Sequence, residues 1–205
     1  MVGLPQHPCT GRCGILRRMR WMTRLLRSPV TGLCVLMLGA TTAVPANAPA
    51  APPPVAIGHV LPDVKLDGLN GPSRLLSSYR GRPLIINMWA SWCGPCRAEA
   101  ASLERLAWSE AGSRYTIIGV SADDYRDAAL KWLRHSNATV SHYIDHNLTM
   151  EHLLGASTIP LTVLVDSNGR VVARYRGVRA WDAPESIRWI ENAYAAAAAR
   201  PKRSP

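Results

Sequence analysis

Apolar positions along this chain fall into short continuous runs and helix-spaced sets. Leu84-Ile85-Ile86-Asn87-Met88 is an apolar run broken by one amide, which predicts a strand covered on both faces. Residues 94–110 read as helix and residues 115–121 as a second strand. A further helix is predicted over residues 125–136, with Ala128, Leu130, Trp132 and Leu133 as its apolar members. Residues 141–144 predict a short strand, and residues 149–154 a short helix stopped by Gly155. Residues 161–165 and 171–175 predict a hairpin across Asp166-Ser167-Asn168-Gly169, whose residue types suit a tight turn. Asp182 is a candidate N-cap for the last helix, with Pro184 in its first turn and an alanine run at 195–199. This order predicts an α/β fold, a mixed sheet with helices on both faces.

The opening of the chain differs in kind. Residues 1–54 hold Arg12, Arg17, Arg18, Arg20, Arg24 and Arg27 and no acidic residue. An apolar stretch at 30–40 follows, then Val44-Pro45-Ala46-Asn47-Ala48. Charge, apolar core and small residues in that order are the layout of an export signal. The core is about ten residues, against the ~20 that cross a bilayer, although Thr41 to Val44 extend it. Residues 1–46 therefore read as a signal cleaved after Ala46 or as an N-terminal membrane anchor. Either way the arginines hold that end in the cytoplasm. Arg17-Arg18 lacks the surroundings of a twin-arginine signal, and Leu33 precedes Cys34 where a lipid-attachment site has a small residue. Residues 47–56 are a Pro/Ala-rich linker, residues 57–199 the globular domain and residues 200–205 a basic tail. The linker has no means of packing, so a chain starting at Ala56 should unfold like one starting at Asn47.

A net charge of +10 suggests nucleic acid until it is located. Without residues 1–54 the chain has 18 basic and 14 acidic residues, and Arg200, Lys202 and Arg203 supply most of that excess. The body is nearly neutral, and no nucleic-acid partner is expected. Three of the five cysteines, Cys9, Cys13 and Cys34, precede residue 50. Only Cys93 and Cys96 remain, so the domain has one isolated pair and no disulfide framework.

That pair lies in Trp92-Cys93-Gly94-Pro95-Cys96, between the first strand and the helix after it. Two cysteines three residues apart close almost no loop and so restrict the unfolded chain very little. At a helix start, however, free N–H groups and the positive dipole end favour thiolate, the form that attacks disulfides. Cys93 is read as the exposed attacking thiol, supported by Arg97 one turn on, and Cys96, one turn deeper, as the resolving thiol. Zinc wants four ligands, and no second cysteine pair is present; no metal site is expected. Trp89 and Trp92 are expected beneath and beside the pair, with Trp92 partly exposed, while Trp132, Trp181 and Trp189 read as core or rim. His142 and His146 read as solvated residues at the edge of an insert, as do His59, His135 and His152.

The stretch from Asn87 to Glu99 resembles the exported TlpA/ResA/DsbE branch of the thioredoxin-fold proteins. So do Ile57-Gly58 with Leu61-Pro62-Asp63, Tyr79-Arg80-Gly81-Arg82-Pro83 and Val165-Asp166-Ser167-Asn168-Gly169-Arg170. The resemblance spans about residues 57–195. It implies a thioredoxin-like sheet with an N-terminal β extension and a central αβ insert. It further implies that Pro160 is cis and faces the cysteines. Ile159, Trp92, Gly94 and Pro95 would then meet an extended peptide. Glu99 would tune the thiols or accept a proton from the resolving one. Asn87 stands where thioredoxins proper bury an aspartate, leaving Glu99 as the only nearby acid available as a proton relay. Ala101 and Leu161 depart from the family's usual proline and threonine. The implied activity is dithiol–disulfide exchange outside the cytoplasm, with no cofactor beyond the Cys93–Cys96 disulfide. The implied partners are protein thiols or disulfides, such as those of apocytochromes c or copper sites, and a membrane electron donor. A Cu(I) metallochaperone, a disulfide oxidase and a redox-silent adaptor are the rival readings.

Overall fold

β3 (Leu84–Trp89) is buried along its whole length because it runs through the middle of a seven-stranded sheet. The computed structural model describes residues 52–200. The sheet order is β2-β1-β5-β4-β3-β6-β7, with β1 Lys65–Gly68, β2 Arg74–Leu75, β4 Thr116–Ser121, β5 Ser141–Ile144, β6 Leu161–Val165 and β7 Val171–Arg176. β3, β4 and β5 run parallel, and the remaining pairings are antiparallel. The parallel strands are joined by α1 (Gly94–Trp108) and α2 (Arg126–Ser136). α3 (Thr149–Leu154) follows β5, and α4 (Pro184–Ala198) follows β7.

Strand alternation sorts the core onto two faces. Ile85, Ile117 and Leu164 pack with Leu103, Leu106, Trp181 and Ile190 of the α1 and α4 side. Leu84, Ile86, Met88, Ile118, Val120 and Val163 pack with Met150 and Leu154 of α3 and with Leu61 and Leu76 from the N-terminal extension. Helices thus lie on both faces, as the hydrophobic pattern predicts, and the extension and insert are present as β1, β2, β5 and α3. Parallel strands need a crossover between them, and each crossover helix hides one face of its strands.

Local differences have local causes. In α2 the buried positions are Ala129 and Leu133, and the expected Ala128 is exposed. Ala129 and Leu133 are four residues apart and so share one stripe, to which Ala128 does not belong. The last helix is not capped by Asp182. Ala183 occupies the N-cap without a side-chain bond, and Asp182 instead accepts a 2.6 Å bond from Arg105 Nε on α1. The ordered packing starts before Ile57. Val55 N donates to Leu153 O at 3.0 Å, Arg174 donates to Val55 O, and Val55 packs against the core. A start at Ala56 therefore removes a bonded residue. Gly155 ends α3 with φ 70°, and a Cβ there would lie 2.8 Å from Pro54 Cγ, so both conformation and space call for glycine. The expected export or anchor segment at 1–46 and most of the basic tail lie outside the described residues. No helix among the described residues is long and apolar enough to cross a membrane.

Candidate active site

β3 delivers the chain to the C-terminal edge of the sheet, where it turns into α1. Cys93 is the N-cap of α1, and its Sγ accepts from Cys96 N at 3.2 Å. The sulfur thereby takes the place of a capping oxygen and bonds one of the helix's free N–H groups. Gly94 and Pro95 form the first, exposed turn, where proline loses no helix bond. Cys93 and Cys96 are joined as a disulfide with Cα atoms 5.3 Å apart. Cys93 is 5% exposed and Cys96 3%, so in this oxidised state the expected open Cys93 is as covered as its partner. Trp92 beside them is 68% exposed, and Trp89 is buried beneath.

The start of β6 approaches from the other side. The Ile159–Pro160 peptide is cis, and Cys93 Sγ lies 3.9 Å from Ile159 O. Ile159 is half-buried and Pro160 buried. Cys93, Cys96, Trp92, Gly94, Pro95, Ile159 and Pro160 thus come to one end of the sheet.

Glu99 is 1% exposed, three residues along α1 from Cys96. Its Oε1 accepts from Asn87 Nδ2 at 2.8 Å, and its Oε2 accepts from Arg179 N at 3.1 Å and Trp181 Nε1 at 3.2 Å. Asn87 Nδ2 also donates to Thr162 Oγ1 at 3.0 Å. Burial pushes the carboxyl above its ordinary value, against the lowering effect of these donors. A carboxyl so placed can hold a proton at higher pH than a surface glutamate. The spacing of motifs along the chain does not show Arg179 and Trp181, which reach Glu99 from 80 and 82 residues away, or Thr162, which meets Asn87 from 75 residues away.

A second acid is buried near this end of the sheet. Asp123 is buried just beyond β4, and its carboxylate accepts from Ser91 N at 2.8 Å, Ser91 Oγ at 2.6 Å and Ser121 Oγ at 2.7 Å. It ties down the turn two residues before Cys93. The available signal was its place after β4, since parallel neighbours end at the same edge. His142 is not solvated: it is 8% exposed, on β5 and paired in register with Gly119. Burial lowers its pKa to about 4, so it is neutral at neutral pH. His59, His135, His146 and His152 are exposed. Trp132 packs on Trp89 with ring centroids 4.7 Å apart.

A cysteine pair at a helix start, opposed by a cis-proline strand on a thioredoxin-like sheet, defines a dithiol–disulfide oxidoreductase. Residues 57–175 match the AhpC/TSA family, and the chain belongs to that family. DsbE of Escherichia coli K12, a thiol:disulfide interchange protein, is 31% identical over 151 residues, covering 70% of this chain and 78% of that protein. DsbE of Vibrio cholerae is 38% identical over 127 residues, covering 60% of this chain and 66% of that one. A crystal structure assigned as DsbE from Chlorobium tepidum aligns with a TM-score of 0.60 at 27% identity, over 70% of this chain and 98% of that chain. The class read from the cysteines and the relatives found by comparison agree: this chain is a thiol–disulfide oxidoreductase of the DsbE/ResA type.

Proposed function

We propose that the protein works outside the cytoplasm as a reductase of protein disulfides, with the haem-binding cysteines of apocytochromes c or the cysteines of copper sites as targets. The observation that carries this reading is Cys93 Sγ beside the Ile159 carbonyl, next to the exposed Trp92. That arrangement suits an extended peptide lying along the start of β6, its backbone bonding to Ile159 and its disulfide meeting Cys93.

Cys93 thiolate attacks one sulfur of the target disulfide, forming a mixed disulfide and releasing the other target sulfur as thiolate. Cys96 loses its proton and attacks Cys93 Sγ, which frees the second target thiolate and closes the Cys93–Cys96 disulfide. Two electrons pass to the target, whose thiolates are protonated. A dithiol donor at the membrane must then reduce the pair, since exported compartments are oxidising. Glu99, with its raised pKa, suits the role of taking the Cys96 proton, while Asp123 holds the turn before Cys93. An N-terminal anchor, or a signal removed after Ala46, would place the domain on that side.

A Cys96→Ser variant expressed in its own cell tests the reading by trapping. We expect mixed disulfides on Cys93 with exported proteins that carry cysteine pairs, and insulin reduction by the unaltered protein. Stoichiometric Cu(I) retention against a strong chelator, without insulin reduction, would support the metallochaperone instead. Faster oxidation of a reduced peptide than reduction of its disulfide would support the oxidase.

A further inference from the structure

The two oxygens of Glu99 meet partners of different kinds. Oε2 accepts from Arg179 N at 3.1 Å and from Trp181 Nε1 at 3.2 Å. A backbone N–H and an indole N–H can only donate. Oε1 accepts from Asn87 Nδ2 at 2.8 Å, and that amide also donates to Thr162 Oγ1 at 3.0 Å. These partners are reversible: an amide can turn over to present its oxygen, and a hydroxyl donates or accepts. A proton on Oε2 would point into two hydrogens that cannot give way. A proton on Oε1 can be received by Asn87 Oδ1 once the amide has turned, with the Thr162 hydroxyl donating to the same oxygen.

The two Oε2 donors are also held in place. Trp181 is fully buried, and its backbone N donates at 3.0 Å to Ser102 Oγ, three residues along α1 from Glu99. Ser186 Oγ on α4 donates to Ala180 O at 2.6 Å and accepts from Arg179 Nε at 2.7 Å. The Arg179 guanidinium lies over the rings of Tyr175 at 4.7 Å and Trp189 at 5.2 Å, a cation–π arrangement. Residues 179–181 are thus fastened to α1, β7 and α4 together. The titratable or charged groups around Glu99 are Cys96 on α1, Arg179 after β7 and, behind it, Tyr175 on β7. β3 and β6 bring the uncharged Asn87 and Thr162, α4 brings Ser186, and Glu185 is exposed. Arg179 makes no ion pair with Glu99 among the described residues, its side chain being committed to Ser186 and the rings.

We propose that Trp181, with the Arg179 amide, fills Oε2 and confines the Glu99 proton to Oε1, the oxygen shared with Asn87. Trp181 is then a positioning residue for the exchange reaction. Asn87 lines the same cleft between α1 and α2 as Cys96, so the proton is kept on the carboxyl oxygen that Asn87 links to the resolving thiol's surroundings. The bearing on resolution rests on the reading of Glu99 as acceptor of the Cys96 proton; the placing of the proton does not.

Infrared difference spectroscopy of the oxidised full chain, where neither cysteine titrates, tests the placing. The band lost in Glu99→Gln at acid pH is the C=O stretch of the protonated carboxyl. With the proton on Oε1 that carbonyl is Oε2, and hydrogen bonds lower its frequency. Trp181→Phe keeps a ring but removes the N–H, so the band should move to higher wavenumber. The lost donor favoured the ionised form, so the Glu99 midpoint should also rise, by about one pH unit, the factor of ten that one hydrogen bond of ordinary net strength supplies. In the reduced protein, the acid limb of the pH profile for release of target from Cys93 should move up by the same amount. Loss of packing alone would change the rate without moving the limb. An unmoved band or an unmoved midpoint in folded Trp181→Phe would overturn the proposal. Should that variant fail to fold, the Trp181 indole N–H resonance of the unaltered protein decides. It should keep its hydrogen-bonded position through the titration, and its return to an unbonded position on protonation would overturn the proposal. Glu99→Gln separates the two readings: an unchanged release profile in that variant ends the relay role of Glu99, while the band still tells which oxygen holds the proton.

Discussion

Glu99 offers the sharpest quantitative test, because its two oxygens serve three N–H donors in a buried site. Replacing it with leucine leaves Arg179 N and Trp181 Nε1 without an acceptor, while Asn87 Nδ2 keeps Thr162. Each buried unpaired donor costs about 1–3 kcal/mol. The variant is also relieved of a desolvated carboxyl, so the net loss expected is about 2–4 kcal/mol. Glutamine should behave differently. Its oxygen can face Arg179 N and Trp181 Nε1, and its amide then faces Asn87. Asn87 turns its own amide over, so that Oδ1 accepts from the glutamine and from the Thr162 hydroxyl, which can donate or accept. That arrangement keeps Arg179 N, Trp181 Nε1 and the new amide paired, and the loss should stay below about 1 kcal/mol.

The same contrast carries a pH signature. Burial raises the Glu99 pKa in the folded state. From the unfolded value near 4.5 up to the raised value, the folded protein holds the proton more firmly than the unfolded chain. The unfolded state therefore binds fewer protons in that window, and stability falls as pH rises through it. Below the window the carboxyl is protonated in both states, and above it ionised in both, so the contribution is flat. Glu99→Gln lacks this slope, so its stability relative to the unaltered protein should improve from about pH 4 towards neutrality. Urea unfolding of the oxidised proteins by tryptophan fluorescence, at intervals from acid to neutral pH, reads both effects. Equal stability of the glutamine and leucine variants, or parallel pH profiles for glutamine and the unaltered protein, would refute the reasoning.

Asp123→Ala should cost about 1–3 kcal/mol by unpairing Ser91 N, and should speed alkylation of Cys93 in the reduced protein; an unchanged alkylation rate would mean the turn is held by other contacts. Arg105→Ala should cost less than about 1 kcal/mol, since the Arg105–Asp182 pair is largely exposed, and a larger shift in urea midpoint would show that it joins α1 to α4 more firmly than its exposure implies. Brief alkylation of the reduced protein should label Cys93 before Cys96, with a rate that rises at lower pH than the ~8.5 of a free thiol. Preferential labelling of Cys96 would reverse their roles. A chain starting at Ala56 should be less stable than one starting at Asn47 by about 1–2 kcal/mol, because Val55 is paired on both its N–H and its carbonyl.

Much of the site was legible in the chain because its central parts are local. Cys93, Gly94, Pro95 and Cys96 lie within one turn, and a strand running into a helix puts them at the helix's positive end. The family-implied cis bond at Pro160 and the covering of Cys96 also appear in the structure. What sequence reasoning misplaced were residues whose neighbours are distant. His142 looks like an exposed histidine beside a short strand, yet β5 pairs in parallel with β4, and the same crossover that makes this pairing lays α2 over it. Asp182 has the composition of a helix cap, but Arg105, 77 positions earlier, takes its carboxylate.

From sequence alone came the alternation of strands and helices, the redox class and the near-neutral body behind an arginine-rich opening segment, all set by short-range periodicity, spacing and the placing of charges along the chain. The tertiary structure decided which groups lose their water. Glu99, Asp123 and His142 are ordinary polar residues in the sequence. Their properties here come from burial against Trp181, Ser91 and Gly119 respectively, which packing brings to them. Desolvation depends on every atom within a few ångströms, whatever its place in the chain, and no local pattern encodes it.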